Sequence, residues 1–204
     1  MRGEGNGMPA QGIGMIVLAF FIGAVPFGYL MARMRFHTDI RNHGSQNIGA
    51  TNVARTFGIA TGLLVLLLDA MKGVAAVQIA YWVMPSHPAW AALAGFAAVL
   101  GHVFSPFMGF KGGKGIAAGL GVVASLFWPA ALAAVLIFAL VVLVFRIVSV
   151  ASLTGMVTAL AALWVAGRYF DIWFFAVPTV LLALWAHRKN WQRLFQGKEP
   201  RFGR

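Results

Sequence analysis

The chain has 204 residues, of which 60% are hydrophobic and only 10% are charged. This composition excludes an ordinary soluble domain and a disordered chain, and it predicts one multispanning, all-α membrane domain. The chain has no cysteine, which excludes disulfides and cysteine nucleophiles. Because only five residues are acidic, a carboxylate-bound metal is not expected, and neither a metal nor another cofactor is predicted.

The predicted elements begin with a polar tail, residues 1–11, expected to be disordered, and continue as a single membrane-embedded domain over residues 12–204. Apolar segments long enough to cross a bilayer follow one another along this domain. The predicted spans are residues 12–34, 58–83, 90–107, 116–127, 129–145, 148–166 and 172–186. We therefore expect about seven transmembrane helices. Five spans are the alternative, if residues 116–145, interrupted at Trp128-Pro129, form a re-entrant pair or one bent helix.

The distribution of basic residues predicts the orientation of these spans. The net charge is +11, and the lysines and arginines flank the apolar segments. With the N-terminus outside and the C-terminus cytoplasmic, all but three of the sixteen lie on the inner side, as is typical of membrane proteins. The exceptions are Arg2, Lys72 and Arg168. This charge pattern favours anionic small molecules and lipid headgroups as partners, and not nucleic acid.

The first polar segment, residues 36–55, follows the first span and is dense in residues that form hydrogen bonds. Its candidate binding residues are Ser45, Asn47, Thr51, Asn52 and Arg55. Such polarity is costly beside a membrane unless the side chains are used. The alternative is local: serine and asparagine are common in turns, and Thr51 with Asn52 could cap the helix that follows.

The second span carries two charges, Asp69 and Lys72, at a spacing that places them on one helix face. Charges inside a membrane are candidates for function, but we favour a structural ion pair here. His102, near the end of the third span, could contact a ligand, although a histidine satisfied by a neighbouring group is the more common case.

Residues 110–116 form a glycine-rich hinge between two apolar runs, with Lys111 and Lys114 on either side of Gly112-Gly113. Consecutive glycines allow backbone amides to point into one concavity that binds an anion. A helix beginning at Ile116 would direct its free amides at the same point. The hinge is therefore a candidate phosphate site, and a cytoplasmic loop that only fixes topology is the alternative.

The predicted topology places the first polar segment, the hinge and the basic C-terminal segment on the cytoplasmic face. Together they could hold two phosphate-bearing reactants with a hydroxyl or carbonyl between them. The chain offers no acid pair, so a general base would be His187, Asp39, Glu199 or a phosphate of the substrate itself.

These three segments resemble the motifs of the bacterial integral-membrane acyl-phosphate:glycerol-3-phosphate acyltransferases. The first motif matches residues 44–52 and Arg55, the second matches residues 101–102, Pro106 and residues 110–115, and the third matches residues 187–194, Gly197 and Glu199. Asp69 and Lys72-Gly73 also fit the family pattern. The chain departs from it at Gln46, where the family usually has glycine, and at Ala118, where it usually has threonine.

The resemblance implies a seven-helix enzyme of the bacterial inner membrane that acts as a monomer from the cytoplasmic side. It would transfer an acyl chain from acyl phosphate to the 1-hydroxyl of glycerol 3-phosphate, giving lysophosphatidic acid and phosphate. The implied catalytic residues are Ser45, Lys114, His187 and Asn190. The implied substrate-binding residues are Arg55, Asn47, Thr51, Asn52, Lys111, Gly112, Gly113 and Glu199.

Two other functions were weighed against this one. A small transporter of an anionic phosphorylated solute would carry polar residues near the membrane midplane, where only Asp69 and Lys72 qualify, and the chain shows no internal repeat. A metal-dependent lipid phosphotransferase would need an acidic motif, which the sequence does not contain.

Overall fold

The protein is described by a computed structural model that covers residues 8–203, and its regular elements are all helical. The α-helices are α1 Met8–Ala24, α2 Phe27–Phe36, α3 Ala50–Phe57, α4 Ile59–Val83, α5 Pro88–Val103, α6 Ile116–Phe145, α7 Val148–Val165, α8 Tyr169–Asp171, α9 Val177–Ala186 and α10 Arg188–Phe195. A π-helical stretch, Ile172–Ala176, joins α8 to α9. The prediction of an all-α membrane fold is confirmed.

Within residues 8–203, six helical segments are long and apolar enough to cross a membrane. They are Ala10–Phe36, Ile59–Val83, Pro88–Met108, Ile116–Phe145, Val148–Val165 and Tyr169–Ala186. Their boundaries lie within a few residues of those predicted. The count is one below the predicted seven because residues 116–127 and 129–145 belong to one helical segment, α6.

The N-terminal span differs from the prediction at both ends of α1. Residues 1–7 of the predicted disordered tail lie outside the described residues, but the helix begins at Met8, because Ala10 and Gln11 are compatible with helix whatever their polarity. The predicted continuous span is also broken at Val25-Pro26, where α1 ends and α2 starts. Proline has no amide proton to continue the helical hydrogen bonds.

The long helix α6 is sharply kinked at Phe127, whose backbone is extended (φ −159°, ψ 90°). The predicted break near Trp128-Pro129 is therefore present, one residue earlier. The guanidinium of Arg168, beyond the far end of α7, donates to the carbonyl of Leu126 at 2.9 Å. Gly115 before α6 and Ser149 after it line one polar cavity. A straight helix of this length would hold its ends about 45 Å apart, so α6 folds back on itself at Phe127.

Small residues bring α4 and α6 into close contact beside the polar cavity. A Cβ atom on Gly73 would lie 2.2 Å from the carbonyl oxygen of Ala118, and one on Gly121 would lie 1.9 Å from that of Ala70. Helices in membranes commonly approach each other through such small residues. This packing fixes the start of α6 against the part of α4 that carries Asp69.

Candidate active site

The first polar segment is organised by Asn52, which is 1% exposed. Its amide oxygen accepts from the backbone N–H of Ser45 at 2.8 Å, and its amide nitrogen donates to the carbonyls of His43 at 2.9 Å and Asn47 at 2.8 Å. Both donors are thus taken up within the loop. Asn52 shapes the path of Ser45, and its role in binding substrate stays a prediction.

Gln46, at the position where the family pattern has glycine, has a backbone conformation that glycine favours. Its φ of 60° lies in the left-handed region that glycine favours, and its N–H donates to the carbonyl of His43 at 2.9 Å. Gln46 adopts the conformation that glycine would allow, and the cost is backbone strain.

Helix α3 follows this loop and carries further candidate residues to the same place. The side-chain oxygen of Asn47 accepts from the N–H of Gly49 at 2.9 Å, immediately before α3 begins at Ala50. Thr51 and Arg55 lie one helical turn apart and both line the polar cavity. Arg55 also donates to the carbonyl of Pro200 at 3.2 Å, which ties α3 to the C-terminal segment.

The glycine hinge does not form the predicted amide nest. The N–H of Gly112 donates to the carbonyl of Val103 at 3.0 Å, and the N–H of Gly113 donates to that of His102 at 3.1 Å. A Cβ atom on Gly112 would lie 2.0 Å from the carbonyl oxygen of His102. These two glycines allow the hinge to pack against the end of α5, and their amides are not free for phosphate.

The first turn of α6, and not Gly112 or Gly113, offers backbone amides that could bind an anion. Gly115 has φ of 81° and caps α6, which begins at Ile116 as predicted. Gly115, Ile116 and Ala117 line the polar cavity beside Lys114. The first-turn amides of a helix have no intrahelical acceptor, and the positive end of the helix dipole favours an anion at this position.

The C-terminal segment contributes a network centred on Glu199, whose side chain is 4% exposed. Its carboxylate accepts from Ser149 at 2.8 Å, from Arg193 at 2.8 Å and from the amide nitrogen of Asn190. The oxygen of that amide accepts from the ammonium of Lys114. Glu199 thereby fixes which way Asn190 faces. Both of its oxygens accept hydrogen bonds from protein donors, and its contact with substrate stays a prediction.

His187 lies behind the cavity wall at the junction of α9 and α10, and it is 1% exposed. Its Nδ1 is 2.8 Å from the carbonyl of Ala183, so Nδ1 carries the proton and Nε2 is the acceptor. Burial, together with the nearby Lys114, lowers the pKa of His187 to about 4. The imidazole is therefore neutral at physiological pH.

The pKa values of Lys114 and Glu199 are also shifted. Burial lowers the pKa of Lys114 to about 8, so its ammonium is still mostly protonated at neutral pH. For Glu199, burial raises the pKa, but hydrogen bonds from Asn190, Ser149 and Arg193 outweigh it and bring the pKa below its ordinary value. Glu199 is therefore a stabilised carboxylate among several cations.

Three cavities meet at these side chains. The inner polar cavity, about 110 Å³, lies between α3, α4, the start of α6 and the start of α7. The outer polar cavity, about 460 Å³, lies among Arg41, Lys111, Arg188, Lys189 and Arg193. Ser45, Asn47, Lys114 and Asn190 line both. An apolar cavity of about 280 Å³ continues from the inner one along α6 and α7.

The structure brings most of the predicted site residues together. Ser45, Asn47, Thr51, Asn52, Arg55, Lys114, Asn190 and Glu199 line the inner cavity, whereas Lys111, Gly112 and Gly113 line only the outer one. His187 lines neither. The sequence prediction missed Ser149 and Arg193. Ser149 lies in the first turn of α7, and a polar residue at the inner end of a span is the signal that could have found it.

The family model described as glycerol-3-phosphate acyltransferase matches residues 13–197. The chain belongs to this family. Among its curated relatives, a glycerol-3-phosphate acyltransferase of Jannaschia sp. is 44% identical over 188 residues, covering 92% of this chain and 91% of the relative. One from Nitrobacter winogradskyi is 44% identical over 192 residues, covering 93% and 96%.

Solved structures of a family member, PlsY (YgiH), have the same fold. Its glycerol 3-phosphate form matches with a TM-score of 0.89 at 38% identity, covering 94% of this chain and 96% of that one. Its lysophosphatidic acid form matches with a TM-score of 0.86 at 37% identity, covering 94% and 95%. Membership of the glycerol-3-phosphate acyltransferase family favours the predicted enzyme over the two alternatives, a transporter and a phosphotransferase.

Proposed function

We propose that this glycerol-3-phosphate acyltransferase uses acyl phosphate as its donor and acylates the 1-hydroxyl of glycerol 3-phosphate. The products are lysophosphatidic acid and phosphate, in the first acylation of phospholipid synthesis. The observation that carries the proposal is the junction at Ser45, Asn47, Lys114 and Asn190, where two polar cavities meet beside an apolar one. One amphiphilic and one fully polar reactant would meet there.

The related structures support both the proposed acceptor and the proposed product. Their forms contain glycerol 3-phosphate and lysophosphatidic acid, which are the proposed acceptor and product. The cationic surroundings of Lys114 and Arg55 suit a donor and an acceptor that each carry a phosphate.

Acyl phosphate is a mixed anhydride with a good leaving group, so the transfer needs no acyl-enzyme. The hydroxyl oxygen attacks the acyl carbonyl carbon, the bond from that carbon to the phosphate oxygen breaks, and the hydroxyl proton passes to the departing phosphate. Holding the two groups in attack geometry lowers such a barrier by roughly 7–11 kcal/mol. We assign the enzyme the tasks of positioning and charge stabilisation, and assign the proton acceptor to the substrate's phosphate.

The side chains divide these tasks according to their positions. Lys114 and the first-turn amides of α6 would stabilise the departing phosphate, and Arg55 would hold that of glycerol phosphate. Ser45 would orient the reactants by hydrogen bonds and would not act as a nucleophile. Neutral His187 is near Lys114, and its backbone carbonyl accepts from the N–H of Asn190, so it would act by supporting these two residues.

The acyl tail would enter the apolar cavity, where each buried methylene contributes about 0.8 kcal/mol. Gly119, Leu160 and Phe175 are among the residues that line it. The cavity begins at Gly115 and Ile116, which also line the inner polar cavity. A chain placed in it would hold the carbonyl carbon close to Lys114.

We also propose the topology that the sequence predicts, with the two halves of α6 counted as separate crossings. This gives seven spans, an outer N-terminus and a cytoplasmic C-terminus in the bacterial inner membrane, with the enzyme acting as a monomer. The fold-back at Phe127 supports it, because it places Gly115 and Ser149 on one side and Leu126 beside Arg168 on the other.

The test is an assay of purified protein in detergent with palmitoyl phosphate and glycerol 3-phosphate. We expect release of phosphate and formation of lysophosphatidic acid without added metal. Palmitoyl-CoA or palmitoyl acyl carrier protein in place of the phosphate should give no product. Activity with a thioester and none with palmitoyl phosphate would refute the proposed donor.

A further inference from the structure

Three charged or titratable side chains of α4 and α5 lie together beneath the hinge, and we call Asp69, Lys72 and His102 the intramembrane cluster. The ammonium of Lys72 is 2.8 Å from Oδ1 of Asp69, and the two side chains are each 3% exposed. Nδ1 of His102, whose side chain is 5% exposed, is 3.6 Å from the same carboxylate oxygen. Lys72 also donates to the carbonyl of Val25 at 2.8 Å, at the break between α1 and α2.

The intramembrane cluster touches the hinge through His102. A Cβ atom on Gly113 would lie 2.0 Å from Nε2 of His102, so the hinge backbone rests directly on the imidazole. The carbonyl of His102 also accepts from the N–H of Gly113. The next residue along the hinge is Lys114. The position of this lysine therefore depends on the imidazole that Asp69 faces from the other side.

The intramembrane cluster also forms part of the active-site wall. Asp69 and His102 line the inner cavity together with Ser45, Arg55 and Lys114. A carboxylate at this wall would repel a substrate that carries a phosphate. Lys72, within ion-pair distance, cancels that charge and does not itself line the cavity.

A buried ion pair is weak evidence for a role in stability. Desolvation of two charges offsets most of their attraction, and apolar residues of similar volume often stabilise a fold as well or better. In a membrane the cost is higher still. A pair retained at the wall of an anion site therefore points to a role in the site.

We propose that the intramembrane cluster positions the hinge while keeping the cavity wall free of net negative charge. His102 supports Gly113 and so places Lys114, and Lys72 neutralises the charge of Asp69 at the cavity wall. Lys72 is thus a positioning residue that determines affinity for the anionic acceptor. This inference rests on the proposed function, because it assumes that glycerol 3-phosphate binds in the inner cavity.

The test compares KM for glycerol 3-phosphate in Lys72→Met, Asp69→Asn and the double variant. Lys72→Met leaves the carboxylate uncompensated, and we expect KM to rise about tenfold or more. The double variant removes both charges and should return KM to within about threefold of the unmodified enzyme. Asp69→Asn alone leaves a positive charge and should not raise KM.

The pair Arg168–Asp171 provides the matched control. It has the same spacing, a carboxylate that is 3% exposed and a contact of 2.6 Å, but it lies beyond α7 and does not line the inner cavity. Arg168→Met should lower the melting temperature and leave KM for glycerol 3-phosphate unchanged.

An unchanged KM in Lys72→Met, or a KM that stays high in the double variant, would overturn the inference. If Lys72→Met does not fold, the test is a comparison of KM for glycerol 3-phosphate between the double variant and Asp69→Asn. The double variant should have the higher KM, and equal values would overturn the inference. Loss of the proposed function itself would appear differently, as absence of turnover with palmitoyl phosphate in the unmodified enzyme.

Discussion

The side chains of Lys114 and Asn190, 76 residues apart in the chain, are joined by a hydrogen bond from the ammonium to the amide oxygen. This bond connects the hinge before α6 to the C-terminal segment after α9. Since Glu199 holds the other end of the amide, the orientation of Lys114 depends on both segments. The hinge and the C-terminal segment therefore form one structural unit, because each supplies a partner that the other needs.

The charge of Lys114 should make the use of the acyl phosphate donor depend on pH. Burial lowers the pKa of this lysine to about 8, so its attraction for phosphate is present at pH 7 and is lost as the pH rises through 8. We expect KM for palmitoyl phosphate to increase above pH 8. In Lys114→Arg the guanidinium stays protonated, and any remaining activity should lack this increase. Identical profiles for the two enzymes would assign the titration to another group.

Removal of either cation at the inner cavity should abolish most turnover while the protein remains folded. Charged hydrogen bonds are worth roughly 1.5–3 kcal/mol, which is about 10- to 150-fold in kcat/KM for Lys114→Ala and for Arg55→Ala. The control is Lys111→Ala, which removes a charge that lines only the outer cavity and should have a smaller effect. Near-normal turnover in both inner-cavity variants would remove the proposed site.

Glu199→Gln should disturb the site more than the loss of one charge suggests. The variant leaves Arg193 without its carboxylate and adds donors beside Asn190, so both thermal stability and kcat should fall. Because the pKa of Glu199 is lowered, its contribution to stability is present at neutral pH. It is lost as the pH falls below 4.5 through the folded-state value. Lys198→Gln, a change at an exposed neighbour, should leave both measurements unchanged.

Gly119 in α6 should control the length of acyl chain that the enzyme accepts. A Cβ atom there would meet nothing closer than 3.7 Å, so Gly119→Ala should be active and serves as the matched control. The larger side chain of Gly119→Leu would occupy space in the apolar cavity. Each methylene displaced from the cavity loses about 0.8 kcal/mol of favourable burial. The preference should therefore move from palmitoyl phosphate to shorter acyl phosphates. An unchanged chain-length profile in Gly119→Leu would place the acyl tail elsewhere.

The fold-back of α6 predicts which face of the membrane Trp128 meets. The chain has no native cysteine, so single cysteine variants can be labelled without interference. Trp128→Cys should react with an impermeant reagent added outside intact cells, and Lys111→Cys should react only after the membrane is opened. Labelling of Trp128→Cys from the cytoplasmic side would mean that residues 116–145 form a re-entrant pair.

Much of the fold could be predicted because membrane spans can be recognised as long runs of apolar residues. The start of α6 at Ile116 and the break near Trp128-Pro129 follow from glycine and proline, whose backbone preferences are local. Pro26 is the same kind of local signal for the break at Val25-Pro26, which the prediction of a continuous span overlooked. What no local pattern reveals is that two distant groups, Lys72 and Ser105, donate to the carbonyls beside this break.

The sequence predicted which residues lie together in the site better than it predicted what each side chain contacts. Convergence of Ser45, Arg55, Lys114 and Asn190 follows from the topology, since loops on one face of a small bundle lie close together. The hydrogen bonds that occupy the side chain of Asn52 depend on how the irregular loop before it folds, which no periodic pattern predicts. Burial of His187 likewise depends on how the last two helices pack.

The contact of the hinge glycines with His102 changes how substitutions there should be interpreted. Alanine at residue 112 or 113 would force the hinge away from the end of α5, because the added methyl would collide with His102. Kinetic defects at these two glycines would then measure displacement of the neighbouring lysine. Gly112 and Gly113 thus provide the steric fit between the hinge and the end of α5, whereas contact with phosphate would fall to Lys114 and the first turn of α6.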